Sequence, residues 1–233
     1  MQIEIVENFK LKNITLISSL PDMGRVGGIV TQHIAEKMGA KIAAKIILTD
    51  KPWVNQKDGL VEMPFDEYRL LVDSKNSLVI FTGENQPQEP NTVFDLVNTV
   101  IEMVQKFGNI KTIISSGGYM PLQNGHGNEV FGVANSQESL DMLNAHDVKL
   151  LGDDVKSITW FNGLILGVAK NKNINGIGLF GEIYDADLPQ YKAAKNIIIT
   201  IEKLLKLEIN TDELEQKITE KMTEVKKENP GIG

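Results

Sequence analysis

The chain has 233 residues, a formal charge of −7 and no cysteine, which excludes disulfides, thiolate catalysis and cysteine-based metal sites. The negative balance, with Arg25 and Arg69 as the only arginines, argues against a general nucleic-acid binder. No uninterrupted apolar run reaches the roughly 18 residues that span a bilayer, and Met1-Gln2-Ile3-Glu4 lacks a basic segment followed by an apolar one, so a soluble cytoplasmic protein with no membrane partner is expected.

Residues 3 to 6 read as an edge strand and Ile14 to Ile17 as the first central strand. The stretch Ser18 to Gly28, with Pro21, Asp22, Gly24 and Gly27, breaks that run and leads into a helix reaching about Met38. Its glycines do not follow the G-x-G-x-x-G spacing and no Walker lysine follows, which favours a structural turn over a phosphate loop. Ile42 to Leu48 is a second apolar stretch, followed by a polar loop, Thr49 to Lys57, in which Trp53 is a candidate partner contact. Asp58-Gly59 predicts a turn before Leu60 to Met63, with Glu67 to Val72 as the hairpin partner in an antiparallel excursion from the main sheet.

The chain is organised around Leu78 to Tyr119. Leu78 to Phe81 is apolar without alternation, as expected of a strand covered on both faces, and Gly83-Glu84-Asn85-Gln86-Pro87 closes it. Val93, Val97, Val100, Ile101 and Val104 recur at helical spacing, with Thr92 as the expected cap and Phe107-Gly108 as the end. Ile110 to Ile114 is the next strand, predicted to stop at a second glycine loop, Ser115-Ser116-Gly117-Gly118-Tyr119. Such a β-α-β unit places both loops at the carboxyl edge of one parallel sheet.

Met120 to Asn128 reads as a polar loop, Val130 to Ala134 as a strand, and Ser136 as the cap of a short helix. Trp160 to Ala169 suits a buried helix, Gly176 to Phe180 a strand ending at Gly181-Glu182, and Ala193 to Leu205 the core face of a long helix after Pro189. The expected organisation is a domain over residues 1–209, then a charged helix and loose tail over 210–233 in which Leu214, Ile218, Met222 and Val225 form a narrow apolar stripe.

Asp22, Glu84, Glu182 and Asp185 all follow expected strand ends, where two carboxylates that converged would divide acid and base work. The competing reading assigns them to capping and loop hydrogen bonds. His33, His126 and His146 lack metal-site spacing, and Ser18, Ser19, Ser115 and Ser116 lack a G-x-S-x-G elbow. No catalytic residue, metal or cofactor is assigned from these patterns; Tyr119, beside two glycines, is a candidate ligand contact.

Taken in order, Leu20-Pro21, Gly24-Arg25-Val26-Gly27, Gly83-Glu84-Asn85-Gln86-Pro87, Gly117-Gly118-Tyr119, Phe161 to Gly167, and Gly181-Glu182 followed by Ala193-Ala194 resemble the PAC2 (proteasome assembly chaperone 2) family over residues 12–207. The resemblance implies a phosphorylase-like, three-layer α/β/α sandwich with a mostly parallel central sheet and an antiparallel excursion. It also implies a non-enzymatic, homo-oligomeric protein of the assembly-chaperone kind, with proteasome α subunits or the α ring as partners. Glu84, Gln86, Pro87, Gly117 and Gly118 would then be loop residues that define the fold. The alternative is a phosphorylase- or nucleosidase-like enzyme with a pocket at the strand carboxyl ends.

Overall fold

Along β2 (Ile14–Ser18), Ile14 and Leu16 enter one buried cluster while Ile17 enters another, the two-residue period of a strand covered on both sides. The same division holds in β7 (Leu78–Gly83), where Val79 and Phe81 face one cluster and Leu78 and Ile80 the other, and in β8 (Ile110–Tyr119), where Ile113 and Ile114 divide. The computed structural model describes residues 1–121 and 128–228, with side chains through Glu220, so His126 lies outside the described residues.

Among the described residues nine strands form one sheet. The others are β1 (Gln2–Ile5), β3 (Lys41–Leu48), β6 (Asp66–Asp73), β9 (Val130–Ala134), β10 (Lys149–Leu150) and β11 (Asn175–Glu182), and the spatial order is β1-β3-β6-β7-β2-β8-β11-β9-β10. The centre, β7-β2-β8-β11, is parallel. β1, β3 and β6 extend it antiparallel on one side, and β9 pairs antiparallel with β11 on the other. One face carries α2 (Pro90–Phe107) and α4 (Trp160–Asn171). The opposite face carries α1 (Val26–Lys37), α3 (Gln137–Ala145) and α5 (Tyr191–Leu205), with α6 (Asp212–Glu228) packed on α5 through the buried Leu214. This is the three-layer α/β/α sandwich that the family resemblance implies.

The strands β7 and β8, joined by α2, lie in one parallel sheet as expected, with β2 inserted between them and paired with both. Several local expectations change. Gly117 and Gly118 are not a loop: β8 continues through them to Tyr119, paired with β11 from Asn175↔Thr112 to Glu182↔Tyr119. Gly83, Gly181 and Glu182 likewise belong to strands. Strand pairing holds these glycines extended, by β11 at Gly117 and Gly118, by β6 at Gly83 and by β8 and β9 at Gly181, overriding their turn preference. Helix α2 starts at Pro90, with Glu89 at the N-cap and no side-chain cap, so Thr92 lies inside the first turn. Proline suits that position because the first helical N–H has no intrahelical partner in any case. The Asp58-Gly59 turn joins β4 (Asn55–Lys57) to β5 (Leu60–Glu62), while Glu67 to Val72 pairs with β3 and β7 instead. The Ser136 cap is present, its hydroxyl accepting the Ser139 N–H at 3.2 Å.

The α2–α4 core is tied together by aromatic stacking. Tyr68 of β6, Phe81 of β7 and Phe161 of α4 stack in series, with centroids 5.8 and 5.0 Å apart. All three are fully buried, which fastens the antiparallel extension to the parallel centre and its covering helix.

Candidate functional site

The carboxyl ends of β2, β7, β8 and β11 meet in a junction whose polar groups answer one another. The buried side chain of Asn162, in the first turn of α4, spans the backbone of Leu20: its Oδ1 accepts the Leu20 N–H at 2.8 Å and its Nδ2 donates to the Leu20 carbonyl at 2.9 Å. Ser115 Oγ donates to the Asn162 carbonyl at 2.7 Å. Ser19 Oγ accepts the Ser116 N–H at 2.7 Å and lies 2.9 Å from Ser116 Oγ. The four serines considered as nucleophiles thus include three engaged in joining strand ends. Gln86 reaches across the same edge, donating from Nε2 to the Pro21 carbonyl at 2.9 Å and accepting the Phe161 N–H at Oε1 at 3.1 Å. Pro87 beside it is buried.

Asp22 closes the junction. One carboxylate oxygen accepts the Gly27 N–H at 2.9 Å and the other the Gly118 N–H at 2.6 Å, so a single side chain joins the start of α1 to the end of β8. Burial raises its pKa from 3.8 to about 7, outweighing the backbone N–H groups of Gly27, Gly118 and Asp22 itself, which act in the opposite direction. Helix α1 approaches the sheet too closely for a side chain at position 27. A Cβ there would stand 2.6 Å from the Leu20 carbonyl oxygen and 2.8 Å from that of Ser116. Gly24, at φ +65°, exchanges backbone bonds with the loop after β11: its N–H donates to the Ala186 carbonyl at 2.7 Å, and its carbonyl accepts the Gln190 N–H at 2.8 Å.

Three of the four carboxylates that follow expected strand ends bond to separate partners. Asp22 bonds Gly27 and Gly118. Glu182 is buried and accepts the N–H groups of Asn128 and Glu129 at 3.1 and 3.4 Å. Asp185 accepts from Asp187 and Leu188 within its own turn. Glu84 is exposed and lines an open groove of about 420 Å³ with Glu36, Glu67 and Arg69, a wall that includes neither Asp22, Glu182 nor Tyr119. Tyr119 packs edge-on against Phe131 at 5.2 Å, and its hydroxyl lies 3.4 Å from Asp154 Oδ2. Burial, with the Asp154 charge second, raises its pKa. His33 Nε2 lies 2.7 Å from the Asn210 carbonyl and His146 Nδ1 2.9 Å from that of Met142. Among the described residues no group of three or more histidine, aspartate or glutamate side chains is arranged to hold a metal.

Around this satisfied junction the same edge exposes apolar side chains. Met23 follows β2, Met120 follows β8, Tyr184 and Leu188 follow β11, Phe94 stands in the second turn of α2 and Trp160 opens α4; all are exposed. Beyond them projects the arm formed by β4 and β5, whose six strand residues are all exposed. Leu60 is 73 % and Trp53 is 53 % exposed, and Val54, Val61, Met63 and Phe65 are exposed with them. The root of the arm is fixed by ions: Lys51 Nζ lies 2.7 Å from Asp66 Oδ2, Asn85 Nδ2 donates to Asp66 Oδ1 at 3.0 Å, and the ammonium stands 5.9 Å from the Trp53 ring centroid. Of these residues sequence reasoning singled out Trp53 alone. The signal it missed was the succession of Leu60, Val61, Met63 and Phe65 around a tight turn, too short to have a core of its own.

The PAC2 family model matches residues 16–228. The chain is 27 % identical over 209 residues to the uncharacterized protein MJ1210 of Methanocaldococcus jannaschii, covering 89 % of this chain and 80 % of that protein. Its fold is similar to that of Pyrococcus furiosus PbaB, an archaeal proteasome activator, with a TM-score of 0.82, 25 % identity and 97 % of each chain covered. It is also similar to Pyrococcus furiosus PbaA, an archaeal homolog of proteasome-assembly chaperone, with a TM-score of 0.80, 21 % identity and 98 % and 92 % of the two chains covered. With its fold, its strand-end junction and a family match over most of its length, the chain belongs to the PAC2 family.

Proposed function

We propose that this protein is a non-enzymatic, assembly-chaperone-like interaction protein that works as a homo-oligomer and engages proteasome α subunits. The observation that carries this reading is the contrast at the carboxyl edge. Asn162 and Asp22, where an α/β protein ordinarily binds a small ligand, are occupied by the chain's own backbone, while the apolar side chains around them face water. A surface of that kind suits a macromolecular partner, with an exposed tryptophan on a projecting arm as anchor and charged residues as rim. Membership of the PAC2 family and the likeness to PbaA and PbaB support the proteasome as the partner.

The test is titration of the purified chain against free α subunits and assembled α rings, followed by sedimentation or interferometry. Saturable binding is expected, weakened at least tenfold by Trp53→Ser combined with Leu60→Ser. Absence of binding to free α subunits, to α rings and to complete core particles overturns the assignment of the partner.

A further inference from the structure

The sheet has two ends, and they are finished differently. At one end β10 offers only Lys149 and Leu150. At the other, β1 presents an open flank of four residues, Gln2-Ile3-Glu4-Ile5, without the lysine or proline that commonly protects such an edge. Its unpaired backbone groups can be placed. Val6 donates its N–H to the Ala43 carbonyl at 2.8 Å, and alternate residues of a strand turn their backbone to the same side. Gln2 and Glu4 therefore bond to β3, and the N–H and C=O of Ile3 and Ile5 face outward. The side chains alternate as well. Ile3 and Ile5 stand beside Ile46 and Ala44 on the α2 face, where they remain 42 % and 49 % exposed, while Gln2 and Glu4 lie on the other face beside Ile47 and Lys45.

We propose that β1 pairs antiparallel with β1 of a second copy about a twofold axis at Ile3, continuing the sheet from one protomer into the next. The proposal rests on the homo-oligomeric reading above and assigns its contact. A partner strand has to match outward backbone groups with outward backbone groups and keep like faces together. Two self-pairings do so while keeping most of the strand engaged. The one centred on Ile3 sets Ile3 against Ile3 as a doubly hydrogen-bonded pair and places Gln2 opposite Glu4 of the second copy. The one centred on Glu4 sets the two Glu4 carboxylates against each other in the pair type where side chains come closest. Lys45, beside Glu4 on β3, does not relieve that repulsion, because its ammonium is engaged with Glu67 at 3.2 Å. Charge thus selects the Ile3-centred register, which joins Ile3 to Ile3 on one face and an amide to a carboxylate on the other. The strand is complementary to itself, as a twofold interface requires.

Because the chain lacks cysteine, single cysteine variants report the register without background. Oxidised Ile3→Cys is expected to form a disulfide-linked dimer, since Cα atoms of a hydrogen-bonded pair lie about 5.5 Å apart. Ile5→Cys alone is expected to form none, its symmetry mate being four residues along the strand, about 13 Å away. Ile3→Lys is expected to raise the dimer dissociation constant at least tenfold, and Gln2→Lys, facing Glu4, to lower it severalfold. Both side chains are exposed, so neither change should move the unfolding midpoint of the protomer. Cross-linking only when Ile3→Cys and Ile5→Cys are mixed overturns the register. An oligomer by sedimentation in which neither variant nor their mixture cross-links overturns the edge contact while leaving self-association standing; a monomer at every concentration overturns both.

Discussion

The junction at the strand carboxyl ends and the arm that projects beyond it lie side by side and are built on opposite principles. In the junction, Asn162, Ser19, Ser115, Gln86 and Asp22 direct their polar atoms at backbone groups of neighbouring elements, over sequence separations of up to 142 residues. Each of these side chains is answered from within the chain, whereas Ser18 Oγ, at the end of β2, is buried without a partner. In the arm, two short strands pair only with each other and expose side chains on both faces. A hairpin of that size has little stability of its own in water, and it is held here by the Lys51–Asp66 ion pair at its root. Buried polar side chains bonded to backbone make a rigid platform; the tethered strand pair leaves its apolar side chains facing water.

Substitutions separate these two roles. The largest loss of stability is expected from Asn162→Ala, which strands the buried N–H and C=O of Leu20 at about 1–3 kcal/mol each, so denaturant unfolding should register roughly 4 kcal/mol. Gly27→Ala follows at about 3 kcal/mol, because its Cβ meets two backbone carbonyls that cannot rotate away. If either variant unfolds at the wild-type midpoint, the junction is not the rigid platform described.

Asp22 supplies a smaller, pH-dependent effect. Its folded-state pKa, about 7, lies above its ordinary value of 3.8 because burial disfavours the charge. The folded protein therefore holds a proton that the unfolded chain has released. The contribution of Asp22 to stability is complete below about pH 4 and is lost as pH rises through 7. Glu67, held low by Arg69 and then Lys45, and Glu213, brought to about 2 by Lys217 and Lys37, lose their contributions only as pH falls below the ordinary carboxylate range. Between pH 5 and pH 8, urea midpoints of the wild type should fall more steeply than those of Asp22→Asn. Equal slopes would remove Asp22 as the cause.

The smallest change in stability is expected in the arm. Leu60→Ser and Val61→Ser alter exposed side chains and should shift unfolding by no more than about 0.5 kcal/mol, while binding of a macromolecular partner falls. Loss of several kcal/mol by thermal or urea unfolding would mean that the arm packs against its own domain.

Most elements were legible before their arrangement was. The apolar strands at Ile14, Leu78 and Ile110, the helical period from Val93 to Val104 and the Ser136 cap all express local preferences, which the structure retains. Reading failed where a distant partner overruled such a preference. Gly117-Gly118 looks like a turn in isolation, yet Phe180 and Gly181 of β11 pair with these residues and keep them extended. Glu67 to Val72 reads as the partner of the nearest run, whereas β3 and β7 pair with it on its two sides, β7 also through the buried Tyr68–Phe81 stack. The carboxylates after the strands were recognisable as a set, but their partners were not, since hydrogen bonds from Gly118 to Asp22 and from Asn128 to Glu182 join positions remote in the chain.

By itself, then, the sequence determined the kind of chain this is: a cysteine-free α/β protein with apolar strands covered on both faces, ordered glycine and proline landmarks, and one tryptophan in an early polar loop. Periodicity and composition record short-range physics, and short-range physics suffices for that. Only the tertiary structure decided that β2 enters between β7 and β8, that Asn162 and Asp22 turn inward to answer backbone groups, and that Leu60, Val61 and Phe65 remain outside. Those outcomes depend on which surfaces meet once the chain has closed, and burial and hydrogen-bond satisfaction are properties of the pair rather than of either residue.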